Sequence, residues 1–391
     1  MGYELSNDQV AEAVNWRRHL HENPELGFEE KETSAFIASK LSEWGYEVTG
    51  GYGKTGLVGT LKKGTSHQVI GIRADMDALP ITEGTSAPYA SKTPGVMHAC
   101  GHDGHVASAL AAAKALVDQD FDGTVKFIFQ PAEENEGGAR VMIEDGLFED
   151  HDVHAVFGMH NWPALPVGTL VARADQMMAA FGTFEIIVKG KGAHGAMPHE
   201  GADPVVAASQ LVTALQTISS RNVSPLLSAV VSVTQIHGGD AWNVIPEQVV
   251  LRGTTRWFDE EVGERIEKRV AEVAVSIAGA LGCEAIVDYL VRYPATINDA
   301  TQAEVVRTTA AQLPYLRVVD ALPSMAAEDF AFMLRDKPGC YFWLGAARSK
   351  GENPGLHSSK YDFNDEVLPL AASFWISLVQ SILKVADRDD R

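Results

Sequence analysis

Val69-Ile70-Gly71-Ile72-Arg73-Ala74, an Ala-rich run over residues 104–117, and then Thr124-Val125-Lys126-Phe127-Ile128-Phe129 form the stretch whose reading decides the fold. The outer pieces are short, apolar and rich in β-branched and aromatic residues, which suits strands. The middle piece is dominated by Ala and Leu, which suits a helix. Strand, helix and strand in that order make a βαβ unit. Working outward, Ser6 and Gln9 stand at capping-box spacing, and an amphipathic run follows to about residue 21, where Asn23-Pro24 stops it. Residues 29–44 read as a second helix closed by Gly45, 56–61 as a strand, 138–144 as a short helix and 153–159 as another strand. The fold class is therefore α/β, with a mostly parallel sheet flanked by helices.

The middle of the chain changes character. Strands are expected at 181–188, 227–236, 248–257 and 284–291, with helices at 203–219 and 259–281. That order, β-α-β-β-α-β, is the ferredoxin-like pattern, which closes on itself and can be inserted whole. Helices near 301–312 and 326–334, a strand at 339–344 and a helix over 365–385 resume the first pattern. The expected organisation is a discontinuous domain, 1–180 with 295–391, carrying an inserted domain at 181–294.

Composition narrows the function. The chain has 391 residues, 46 % of them apolar and 21 % charged, which excludes disorder, collagen and coiled coil. Its 52 acidic and 32 basic residues leave a formal charge of −20. Nucleic acid and anionic membrane surfaces call for the opposite sign, so neither is expected as a partner. No run approaches 18 apolar residues, and the start Met1-Gly2-Tyr3-Glu4 is acidic, without a signal-type apolar segment. Three cysteines, Cys100, Cys283 and Cys340, do not make a disulfide set. A cytoplasmic location is expected, with Cys283 and Cys340 as packing residues.

Chemistry gathers in four short segments. Met97-His98-Ala99-Cys100-Gly101-His102-Asp103-Gly104-His105 puts three His, one Cys and one Asp at the start of a helix. These are the ligand types of zinc and neighbouring divalent metals. Gln130-Pro131-Ala132-Glu133-Glu134 follows a strand, as do Gly158-Met159-His160-Asn161 and Gly355-Leu356-His357. Loops at the carboxyl ends of parallel strands are where α/β proteins place their sites. Two adjacent carboxylates can divide the labour, one binding metal and the other acting as a base. Taken singly, the acidic turn and each of these histidines read as ordinary loop residues. Gly53-Lys54-Thr55 is not a P-loop, because Val48 stands where the spacing needs Gly. Ser358-Ser359 lacks the G-x-S-x-G elbow of a serine nucleophile.

Together with Gly71-Ile72-Arg73-Ala74-Asp75-Met76-Asp77-Ala78-Leu79-Pro80-Ile81, these segments resemble the dinuclear metal amidohydrolases of the aminoacylase and carboxypeptidase family. They resemble most its branch of N-acyl-amino-acid amidohydrolases, hippurate hydrolases and plant auxin-conjugate hydrolases. The resemblance runs in order from residues 18–25 to His357. It implies two divalent ions held by Cys100, His102, Glu134, His160 and His357, with Glu133 as general base. Asp75-x-Asp77 stands where the wider family has His-x-Asp, so Asp77 is expected to orient a ligand. Cys100 replaces a bridging Asp of the wider family, which leaves manganese, zinc, nickel and cobalt as candidates.

The resemblance also makes the insert a lid and the interface of a homodimer. Lys189-Gly190-Lys191-Gly192-Ala193-His194 resembles the lid loop whose His polarises the substrate carbonyl, often from the partner subunit. Asn243 and Arg256 look like the residues that hold the substrate's backbone and carboxylate, and an Arg fork suits a carboxylate. The implied activity is hydrolysis of the amide bond of an N-acyl amino acid. A dipeptidase or carboxypeptidase, and a non-catalytic metal- or metabolite-binding protein, are the alternatives. Glu133 beside Glu134 favours catalysis, because a binding protein needs no second carboxylate there.

Overall fold

The computed structural model describes residues 3–134, 136–349 and 351–385. Asn135 of the acidic turn and the Met1-Gly2 start lie outside the described residues. The chain divides into two compact units: Met1–Met177 with Ile297–Leu322 and Asp329–Arg391, and Met178–Thr296 with Pro323–Glu328.

The first unit is built on an eight-stranded sheet. Its spatial order is Glu47–Tyr52, Gly56–Lys63, Gly123–Gln130, Val69–Asp75, Ala155–Pro166, Gly339–Ala347, Thr169–Val171 and Arg317–Val318. The four strands from Gly123–Gln130 to Gly339–Ala347 run parallel, and antiparallel neighbours flank them. The strands expected around residues 69 and 124 pair directly, Val69 beside Thr124.

Between them in the chain lies the helix His102–Leu116, buried at every position except Lys114. Alanine makes this burial possible, because a helix faced with methyl groups lets its neighbours come close. Asn7–Glu22 and Val367–Ile382 pack against it. The capping box at Ser6 and Gln9 is formed as expected.

The second unit has the antiparallel order Ala229–His237, Gln248–Trp257, Ala180–Lys189 and Glu284–Tyr293. The helices Pro204–Thr217 and Glu260–Ala280 pack on it, each capped by an Asp, and share a core of Phe184, Ile186, Leu211, Leu251 and Ile266.

Three features depart from the sequence reading. The strand expected to end at Met159 continues to Pro166. His160 therefore lies in the ladder opposite Trp343, not in a loop after a strand, because Gly339–Ala347 continues beside it. The helix expected from 326 starts at Phe330, since residues 323–328 are drawn to the second unit. There Ala179 donates its N–H to the carbonyls of Ser324 and Ala326, both at 3.0 Å. Glu47-Val48-Thr49-Gly50-Gly51-Tyr52 is a strand despite two glycines, because it pairs with Gly56–Lys63.

Two helical glycines give opposite predictions. A Cβ on Gly104 would lie 2.2 Å from the buried Phe363 ring, whereas one on Gly279 would meet nothing within 4 Å. Gly→Ala in a helix normally stabilises by about 0.5–1 kcal/mol, and Gly279→Ala is expected to do so. Gly104→Ala is expected to destabilise by about 1–3 kcal/mol through overpacking. Denaturant melts of the two variants check both signs.

Candidate metal centre

The His/Cys run turns into its helix at Gly101, whose φ is +98°. A Cβ there would lie 2.5 Å from Asn161 Oδ1, so only glycine allows this close turn. The turn lets Cys100 and His102 reach one point. Cys100 Sγ lies 3.3 Å from His160 Nε2. Ligand atoms of Cys100, His102 and His160 all fall within 4.8 Å of one another, and so do those of Cys100, Glu134 and His357. Cys100 belongs to both groups. Glu134 Oε1 and His357 Nε2 are 3.0 Å apart. His102 Nε2 is buried with no hydrogen-bond partner, which fits a ring aimed at a cation. The donor set of thiol, imidazole and carboxylate suits zinc-like divalent ions.

Neighbouring groups set the orientation of these side chains. His102 Nδ1 lies 2.9 Å from the Asp77 carbonyl and 3.1 Å from Asp77 Oδ1, leaving Nε2 for the centre. The other Asp77 oxygen accepts the Glu134 N–H at 3.0 Å. His160 Nδ1 lies 2.8 Å from the Asn161 carbonyl, which turns its Nε2 toward Cys100. Asp75 contacts His105 Nδ1 at 2.5 Å and Arg73 Nη1 at 2.6 Å. Arg73 also donates to Gln130 and to Asp329.

The electrostatics follow from burial and charge. Burial works against an ionised Asp75, yet the charges of His102, Arg73 and His105 hold its carboxyl well below the usual range. Burial opposes protonation of His102 as well, but Asp75, then Asp77, raise it to about 10. Burial pushes the Cys100 thiol well up, and the charges of Glu134, Glu133 and Asp75 push it further. His160 is driven well down by burial and by His105, which leaves the neutral imidazole that binds metals.

The acidic turn is tightly held. Ala132 has a φ of +51°, its N–H donates to Glu30 Oε1 at 2.9 Å, and its carbonyl accepts from Gly138 at 2.9 Å. Glu133 is 6 % exposed, and a carboxylate oxygen of its side chain, an imidazole nitrogen of His102 and a carboxylate oxygen of Glu134 fall within the same 4.8 Å limit. His357 also has a positive φ, +64°, and donates its N–H to the Ala99 carbonyl at 2.8 Å. Such conformations cost about 1–3 kcal/mol each and persist where the surroundings over-determine them.

The structure brings Asp77, Cys100, His102, Glu133, Glu134, His160 and His357 together in the first unit. His194, Asn243 and Arg256 belong to the second. There, Ala193–His194 pairs with Val244–Ile245, and the Gly195 N–H donates to the Asn243 carbonyl at 2.7 Å, so His194 and Asn243 are neighbours. Arg256 lies over the Phe181 ring at 4.2 Å and donates to the Met325 and Thr255 carbonyls. Sequence reasoning missed Glu30 and Asp329. Both act at positions remote in the chain, and no local spacing marks them.

The model of "Peptidase family M20/M25/M40" matches residues 71–381. A hippurate hydrolase of Campylobacter jejuni is 44 % identical over 96 % of this chain and 98 % of its own length. An N-acetyl-L-cysteine deacetylase of Bacillus subtilis is 46 % identical over 96 % of this chain and 89 % of its own length. A crystal structure from Bacillus subtilis, described as a dinuclear metal-binding peptidase of the M20 family, has a TM-score of 0.83. It is 38 % identical, and the match covers 97 % of this chain and 99 % of that one. The chain belongs to peptidase family M20/M25/M40, in its amidohydrolase branch.

Proposed function

We propose that this chain hydrolyses the amide bond of N-acyl amino acids, releasing a carboxylic acid and a free amino acid. In this reading Cys100, His102, Glu134, His160 and His357 hold a pair of divalent cations. The observation that carries it is Cys100 shared between two groups of potential ligands, with Glu133 beside them. When bound, such a pair supplies Lewis acidity toward the amide carbonyl and acidifies water. Glu133 takes the proton of the attacking water and returns it to the leaving nitrogen. Asp77 orients His102 and the Glu134 backbone. His194 polarises the carbonyl, Arg256 grips the substrate carboxylate, and Asn243 holds the substrate backbone.

The finer assignments rest on the same reading. Residues 1–180 and 295–391 form the catalytic domain, and 181–294 the lid and dimerisation domain. Exposed Ile236, Trp242, Ile286 and Leu290 on that insert support a homodimer. The cations are manganese, zinc, nickel or cobalt. Three unpaired cysteines suit a reducing cytoplasm. No helix among the described residues is long and apolar enough to cross a membrane.

The deciding experiment measures amino-acid release from N-benzoylglycine, N-acetylcysteine and a set of dipeptides, with protein loaded separately with each metal. Release from acyl amino acids is expected, and a response to dipeptides alone would favour a dipeptidase. Glu133→Ala is expected to keep both ions and lose about 10²–10⁴-fold in kcat. Wild-type turnover in that variant would remove Glu133 from its role. Arg256→Ala is expected to cut kcat/KM about 10- to 100-fold, the worth of one charge-assisted hydrogen bond. The wild-type preference for a free carboxylate over its carboxamide should collapse with it, and a preserved preference would refute the grip. Cation affinity is expected to rise with pH through neutrality, because Cys100 and His102 both sit above their ordinary ranges and shed protons on binding. Calorimetry in buffers of different ionisation enthalpy reads those protons directly.

A further inference from the structure

Glu133 follows a residue that strongly disfavours its own backbone conformation. Ala132 carries a Cβ and yet sits at φ +51°. Three contacts keep it there. Its carbonyl accepts from Gly138, its N–H donates to Glu30 Oε1, and the Gly27 backbone lies against it so closely that a Cβ on Gly27 would be 3.0 Å from the Ala132 Cβ.

Glu30 is the unusual member of this set. It is fully buried, its second oxygen accepts from the Thr55 hydroxyl at 2.6 Å, and no cation is paired with it among the described residues. Burial, and after it the Asp77 charge, raise its pKa to about 7. An unpaired buried carboxylate costs stability, and an apolar side chain would fill the same volume without that cost. What the carboxylate adds is a directed acceptor for one N–H, at the residue whose φ sets the direction of Glu133.

We propose that Glu30 is a positioning residue for the amide hydrolysis: its carboxylate holds Ala132 in the left-handed conformation and so aims Glu133 at the attacking water. The proposal rests on Glu133 being the general base. Glu30 touches neither substrate nor cation. It works through the Ala132 N–H, and Gln at this position retains the oxygen that accepts it.

The test compares wild type, Glu30→Ala, Glu30→Gln and Glu133→Ala, each loaded with manganese and assayed on N-benzoylglycine and N-acetylcysteine, with bound metal counted by elemental analysis. Misplacing a catalytic group by about an ångström costs about ten- to hundredfold. Glu30→Ala is expected to lose that much in kcat, with KM within about twofold of wild type and two ions still bound. Glu30→Gln is expected to recover most of the loss. Wild-type kcat in Glu30→Ala overturns the proposal, as does a loss that merely tracks missing metal, or a Gln variant as slow as the Ala one. If Glu30→Ala does not fold, Glu30→Asp replaces it, keeping the charge and shortening the reach. Its kcat should fall below that of Glu30→Gln, and the reverse order overturns the proposal. A wild type inactive on both substrates with manganese, zinc, nickel and cobalt in turn would overturn the acyl-amino-acid reading on which the proposal rests, whereas an active wild type with an unaffected Glu30→Ala refutes only the role of Glu30.

Discussion

Asp75 is the point on which the first unit turns. It is the last residue of a central parallel strand and is completely buried. Its carboxylate is shared by Arg73 on the same strand and His105 on the following helix, and it lies 3.7 Å from His102 Nε2. Arg73 carries the connection on to Asp329, which also accepts from Gln130 and from the Ala139 backbone. A buried charge is tolerable only when it is paired and hydrogen-bonded. The requirement to pair Asp75 and Arg73 therefore fixes two strand ends, one helix start and the segment at Asp329 relative to each other.

That fixed arrangement explains the geometry of the centre. Cys100, His102, Glu134 and His160 come from three different elements, and a ligand set tolerates little displacement. His105, the third histidine of the run, supports this arrangement. It joins Asp75 to Asn161, whose carbonyl orients His160. The strained φ values of Ala132 and His357 belong to the same design. Each is pinned by a backbone hydrogen bond, so the neighbouring side chain has one direction.

Charge follows the same logic. The protein places Glu133, Glu134 and Asp75 around a buried thiol, which raises the cost of the Cys100 anion. A group of acids around a thiol is unfavourable in itself and favourable around a cation. The strongly acidic composition thus has a local counterpart here, although most of the surplus lies on the surface and concerns solubility.

Much of this was legible in the chain. Short apolar runs rich in β-branched and aromatic residues marked the central strands of the first sheet, and the β-α-β-β-α-β order of the second was read from its succession of strand-type and helix-type segments, because these are local properties. The residue types at 97–105 and 130–134 announced metal chemistry for the same reason: imidazole, thiol and carboxylate act as ligands wherever they converge. Convergence itself was not legible. Cys100 meets His160 only through the pairing of Val69–Asp75 with Ala155–Pro166 and the packing of the Ala-rich helix. Glu30 reaches Ala132 across about a hundred residues of chain with no spacing to mark it. The sequence by itself determined which elements form and which chemistry is available, since propensity and ligand type are carried by each residue. Only the tertiary structure decided which of those residues share a point in space, because burial forces each polar group to find its partner wherever the packed strands and helices bring one within reach.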